Sequence, residues 1–214
     1  MKKIIRNSLF YLFLLSWGGW ACNSQEVTNK PLPILGEPKI SAEGDTVLYQ
    51  IPPFAFVDQD SNLISEKDVE GKFYVADFFF TTCPSICPKM SAEMVRLHDA
   101  FMEEDQVLLL SYSIDPEHDT VAVLKDYATK LGVNTDKWHL LTGDQEEIFE
   151  VAFSYMVNAM VDETAPGGLL HSGAFVLVDQ NRHVRGFYDG TISEEVDRLM
   201  KDLRRLIKEE GKQG

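Results

Sequence analysis

From Lys72 to Phe80 nearly every position is apolar or aromatic, and Val107–Ile114 repeats the pattern. Unbroken runs of this length predict strands covered on both faces, as in a parallel sheet. Trp138–Thr142 predicts a third such strand. Between these runs the rhythm becomes helical. Met90, Met94, Leu97 and Phe101 recur on one face of a helix expected from about Pro88 to Glu103. Pro88 suits its first turn, where the missing N–H is not needed. Val123, Leu124, Tyr127 and Leu131 mark a second helix, capped by Thr120 and stopped by Gly132. Asp144 starts a third, with Glu147 three residues on as its capping-box partner. The last runs from Ser193 to about Glu210, with Val196, Leu199, Met200, Leu203 and Leu206 inward.

Two hairpins complete the pattern. Pro53–Val57 and Leu63-Ile64 flank the turn 58–62, and Gly173–Val178 and Val184–Tyr188 flank Gln180-Asn181. Pro166-Gly167-Gly168 reads as a flexible loop. Strands alternating with helices, then a terminal hairpin and helix, describe an α/β sandwich. Right-handed crossovers make its early strands parallel. The order fits a thioredoxin-like sandwich with an N-terminal hairpin and a mid-chain insertion.

The first 21 residues stand apart from this pattern. Lys2, Lys3 and Arg6 precede a mostly apolar run from Ser8 to Ala21, short for a membrane span of roughly 20 apolar residues. Residues 1–21 read as a secretory signal. The junction Gly19-Trp20-Ala21-Cys22 resembles a lipoprotein signal, cleaved before a lipidated Cys22; retention as an anchor is the alternative. Either way the chain is expected outside the cytoplasm and tethered to a membrane. Residues 22–44, with Pro31, Pro33 and Pro38 and no periodicity, read as a flexible tether, and 45–214 as the folded domain. The formal charge of −14, or −17 without the leader's three basic residues, argues against a nucleic-acid partner.

With Cys22 assigned to lipid, the remaining cysteines are Cys83 and Cys87, in Phe78–Met90 (FFFTTCPSICPKM). A disulfide closing so small a loop would stabilise little, which favours reactive thiols over a structural staple. The loop follows a central strand at its C-terminal end, where open α/β sheets place their sites. It also precedes a helix, whose orphan N–H groups and dipole favour thiolate. The two sulfurs can close a disulfide or converge on one soft cation. Two thiolates suit copper(I), and a histidine would hold the ion better and tolerate copper(II). His98 is expected at the boundary of the first helix, His118 and His183 in solvated turns, and His139 packed within a strand. His171 differs: it directly precedes a buried strand whose start faces the cysteine loop. Met90 and Met94 fit the helix core rather than a copper site.

Four segments carry a resemblance: Thr82-Cys83-Pro84-Ser85-Ile86-Cys87-Pro88, Ser113–Thr120 (SIDPEHDT), Trp138–Gly143 (WHLLTG), and His171-Ser172 before Ala174–Val178. They run in order from about residue 50 to 190, and in them the chain is similar to the Sco/SenC family of copper-handling proteins. The resemblance implies a thioredoxin-like domain anchored outside the cytoplasm. It also implies copper held by Cys83, Cys87 and His171, and delivery to the CuA centre of cytochrome c oxidase. It puts the acidic loop beside the site, with Asp115 in a supporting role besides capping its own turn. Many relatives carry an acidic residue just before the histidine, where this chain has Leu170.

Asp77 points to a second chemistry. It interrupts an apolar run six residues before Cys83, a spacing that resembles the buried proton-relaying aspartate of thioredoxins. A carboxylate there needs a partner or stays protonated; the alternative is that it points to a polar edge. With Cys83 and Cys87 as a redox pair, the chain would be a thiol–disulfide oxidoreductase keeping partner cysteines reduced. A peroxidase reading lacks its Thr-x-x-Cys, since Thr81 and Thr82 crowd Cys83.

Overall fold

The computed structural model describes residues 30–162, 164–165 and 167–210. The leader, Cys22 and the first part of the expected tether lie outside them. The chain divides into the units Met1–Pro31, of which only residues 30–31 are described, and Leu32–Gly214, whose fold follows.

In chain order the elements are β1 (Lys39–Ile40), β2 (Thr46–Val47), β3 (Ala55–Asp58), β4 (Leu63–Ser65), β5 (Phe73–Phe79), α1 (Cys87–Phe101), β6 (Val107–Ser113), α2 (Val121–Leu131), β7 (Trp138–Thr142), α3 (Gln145–Ser154), β8 (Ala159–Val161), β9 (Leu169–His171), β10 (Ala174–Val178), β11 (Val184–Asp189) and α4 (Ser193–Glu210). Seven strands form one sheet in the order β11-β10-β5-β6-β7-β3-β4. The unbroken apolar runs are its middle: every residue of β5 and β6 is buried. β5, β6 and β7 are parallel, as continuous runs joined through helices require, and Asp77 stands opposite Ser111. β10 and β11 add antiparallel on one side, β3 and β4 on the other.

The helices follow their end signals. Thr120 accepts from the Val123 N–H, Gly132 closes α2 in the left-handed region at φ 69°, and Asp144 accepts from the N–H groups of Glu146 and Glu147. The five inward positions expected for α4 are all buried, and α4 packs on α1 and β11. Met90 and Met94 lie in the core beneath α1. Among the described residues, no helix is long and apolar enough to cross a membrane.

Two expectations are corrected. The expected flexible tether to residue 44 is docked on the domain at Leu32–Leu35. Leu32 and Leu35 pack on the core, and the Leu35 N–H donates to Val184 O at 2.8 Å. Buried Arg185 donates to the carbonyls of Leu32 (2.7 Å) and Pro33 (3.1 Å) while pairing with Asp179 and Glu210, both at 2.7 Å. An extended segment satisfied by one distant arginine carries no periodicity to read. Secondly, Gly167 and Gly168 of the expected loop lie in the turn of a β8–β9 hairpin in which Ala159 pairs with His171 and Val161 with Leu169. Gly167, at φ +87°, lies against the Phe80 ring: a β-carbon there would stand 2.8 Å from Cε2.

Candidate metal centre

Parallel strands leave their C-terminal ends on one rim of the sheet, and β5 delivers the cysteine loop there. The Cys83 N–H donates to Phe80 O at 3.2 Å, turning the chain out of the strand. Cys87 opens α1 with Pro88 in its first turn, and no side chain caps this helix end. N–H groups left free by a missing cap are available to an anion. The backbone N–H groups of Ser85 and Cys87 accordingly turn toward the Cys83 sulfur, and Ser85 Oγ lies 3.5 Å from it.

The helix end does not act on both thiols alike. Burial works to raise the Cys83 thiol, but the hydrogen bonds from Ser85 and Cys87 outweigh it and hold the group below its ordinary value. Cys87 lies deeper, and burial drives its thiol well above the ordinary value; the neighbouring Cys83 and Asp77 charges add to the rise. Both cysteines are free thiols.

His171 reaches the same point from the β8–β9 hairpin. Its Nε2 lies 3.3 Å from Cys87 Sγ, and its Nδ1 donates to the Ser172 carbonyl at 3.1 Å. A carbonyl can only accept, so Nδ1 carries the proton and the Nε2 lone pair faces the sulfurs. Burial lowers the pKa of the imidazole and favours the neutral ring, against the opposing pull of the Ser172 carbonyl. Phe80 supports the ring edge-on, at 5.9 Å between centroids.

The two sulfurs and the imidazole nitrogen all lie within 4.8 Å of one another. Metal bonds of about 2.0–2.3 Å to nitrogen and sulfur require donors roughly 3.5–4 Å apart, so small side-chain adjustments would place all three around one ion. Two soft donors and one neutral imidazole suit copper in either oxidation state. An open groove of about 350 Å³ runs past Cys83 and Cys87 between α1 and α2, with Tyr127 and Leu131 on its far side. A separate groove of about 590 Å³, lined by Phe54, Phe56 and Glu147, contains none of these donors.

The other histidines are accounted for without a metal. His98 is buried rather than at the boundary, because Nδ1 meets Asp99 at 3.0 Å and Nε2 accepts from the Asn134 N–H at 3.0 Å. His139 packs as expected, with Nδ1 3.0 Å from Asp58. His183 faces Asp179 at 3.4 Å, and His118 is exposed in its turn.

Asp77 points into the core and not to a polar edge. Burial raises its carboxyl to about 7, against the hydrogen bond donated by Ser111 Oγ. Ser111 in turn accepts from Trp138 Nε1 at 2.8 Å. Asp115 is half-buried, and its backbone carbonyl accepts from the N–H groups of His118 and Asp119. Its carboxylate makes no hydrogen bond to a described residue. The acidic side chain that reaches the cysteine loop is Asp119, which sequence reasoning did not single out. Its only signal was that it is a third acid in the turn, after Asp115 and Glu117.

Among solved structures, the chain is similar to a SCO1/SenC family lipoprotein from Bacillus anthracis str. Ames: 34% identity, TM-score 0.68, covering 74% of this chain and 95% of that one. It is similar to BsSco, described as a member of the Sco family of cytochrome c oxidase assembly proteins with a disulfide switch: 33% identity, TM-score 0.65, 74% and 93% covered. It is also similar to Arabidopsis thaliana ScoI with copper bound: 30% identity, TM-score 0.60, 72% and 98% covered. The family model SCO1/SenC matches residues 45–208, a span that contains all three donors. On this match the chain belongs to the SCO1/SenC family.

Proposed function

We propose that this protein binds one copper ion through Cys83, Cys87 and His171 and delivers it to, or prepares, the CuA centre of cytochrome c oxidase. Copper is its cargo. The observation that carries the reading is the convergence of two sulfurs and a neutral imidazole nitrogen within 4.8 Å on one rim. The copper held by the Arabidopsis relative and the assembly role given to BsSco support it. The signal-like composition of residues 1–21, the resemblance of the junction before Cys22 to a lipoprotein signal and the lipoprotein description of the Bacillus anthracis relative support a membrane-tethered, extracytoplasmic location. The test is titration of the reduced soluble domain with copper, wild type beside His171→Ala. Wild type takes up one equivalent, with sulfur-to-metal charge-transfer absorption for copper(II), and His171→Ala loses tight binding. Unchanged affinity in His171→Ala removes the third ligand.

One observation favours a second activity at the same thiols: Asp77, a buried carboxyl with a raised pKa whose charge Cys87 feels. In this reading the Cys83 thiolate attacks a partner disulfide to form a mixed disulfide and release one partner thiolate. Cys87, deprotonated as Asp77 accepts its proton, then displaces the second partner sulfur. The products are a Cys83–Cys87 disulfide and a partner reduced by two electrons. Asp77→Asn then slows thiol exchange without weakening copper binding; an unchanged exchange rate removes Asp77 from the reaction.

A further inference from the structure

The chain from Thr81 to Ile86 lies between β5 and the uncapped start of α1, and regular structure does little to hold it. Beyond the Cys83 N–H bond to Phe80 and the packing of Cys83 and Ile86 against the core, it is tied to the turn between β6 and α2. There Asp119 is fully buried with no cationic partner among the described residues. Its Oδ2 accepts from the Thr81 N–H at 3.0 Å and from Ser113 Oγ at 2.6 Å, and its Oδ1 accepts from Thr81 Oγ1. Its own N–H donates to Asp115 O at 2.8 Å, and the Ile114 N–H closes the last rung of the sheet on Phe79 O at 2.9 Å. A carboxylate out of water, compensated only by hydrogen bonds, holds its donors in place, because each lost donor leaves buried charge unsatisfied. Two of its three donors belong to Thr81, two residues before Cys83.

We propose that Asp119 is a positioning residue of the metal centre. It fixes Thr81 and, through that backbone, sets where the Cys83 sulfur stands relative to Cys87 and His171. The proposal rests on the copper reading above. It assigns to Asp119 the supporting role that the resemblance had suggested for Asp115.

The test compares Asp119→Ala, Thr81→Val and Thr81→Ser with wild type in two readouts. The first is copper affinity by chelator competition, together with the copper(II) charge-transfer band. The second is the alkylation rate of Cys83 in the metal-free reduced domain, read by peptide mass mapping. Asp119→Ala weakens copper binding at least about tenfold, as loss of groups supporting metal ligands does, shifts the band and changes the Cys83 alkylation rate. Thr81→Val, which removes one of the three bonds, moves both readouts the same way by less, and Thr81→Ser restores them. Wild-type affinity, band and alkylation in Asp119→Ala overturn the proposal. So does a fall in melting temperature alone, the signature of a merely structural group. If Asp119→Ala does not fold, Thr81→Val decides, and wild-type readouts there overturn the proposal equally. Failure of wild type to bind copper refutes the copper reading instead, and the alkylation comparison still tests the clamp.

Discussion

Cys83 and Cys87 follow β5, whose seven residues are all buried and which pairs with β6 on one side and β10 on the other. His171 ends a three-residue strand that pairs with one other three-residue strand. The sulfur side of the centre therefore grows out of the core, while the imidazole side is carried on an appended hairpin. His171 is buried on the inward face of that hairpin, while Met160 and Leu170, opposite each other on the outward face, are 47% and 44% exposed. Segments with few buried contacts open more cheaply than core strands. The two sides of the site therefore differ in support: the sulfurs rest on a buried central strand, the imidazole on a short two-stranded hairpin.

The comparison breaks most completely on the sulfur side. Cys83→Ala or Cys87→Ala leaves one soft donor and abolishes tight copper binding, measured by equilibrium dialysis; residual stoichiometric binding would mean that the imidazole side suffices. Asp77→Asn tests the same strand through stability. The Asp77 carboxyl is held at about 7 by burial in the folded state, above its unfolded value, so the native state keeps an extra proton between about pH 4 and 7. This contribution is full below about pH 4 and lost as pH rises through 7, at a cost of up to roughly 4 kcal/mol once the group is charged. Urea melts should show Asp77→Asn more stable than wild type at pH 8, with a flatter pH profile; parallel profiles would place the ionisation elsewhere.

The hairpin side responds more locally. Gly167→Ala puts a β-carbon against Phe80 and forces a left-handed backbone, for which L residues pay about 1–2 kcal/mol. Amide hydrogen exchange should quicken in β8 and β9 and not in β5, with copper affinity reduced several-fold. Equal loss of protection in β5 would show the two sides to be one cooperative unit. Leu170→Thr, on the outward face, should change stability by less than about 0.5 kcal/mol and leave copper affinity as it was; a large loss of affinity would mean that this face helps to hold His171.

Long elements with one dominant rhythm were legible before the structure: β5, β6, β7, α1, α2 and α4 fall within two residues of where periodicity and caps put them, and α3 begins where Asp144 put it. That Cys83 and Cys87 lie close together and that His171 is the histidine facing them was legible too. What escaped depends on contacts between distant parts of the chain. The β8–β9 hairpin is too short to alternate, and its turn is set against Phe80, more than 80 residues away. Arg185 docks Leu32 and Pro33 from the far end of the chain. His98 read as a boundary residue because nothing local reveals that Asn134 donates to it. Asp119 escaped for the same reason: its donors lie on β6 and the cysteine loop, not in its own turn. The different pull of burial on Cys83 and Cys87 likewise follows from depth, which spacing does not encode.

The most direct measurement is copper-edge X-ray absorption on the copper-loaded soluble domain, wild type beside His171→Ala. The account predicts two sulfur scatterers and one imidazole nitrogen in wild type, with the imidazole signal gone in the variant and both sulfurs kept. A wild-type shell without imidazole, or one that His171→Ala leaves unchanged, would contradict it.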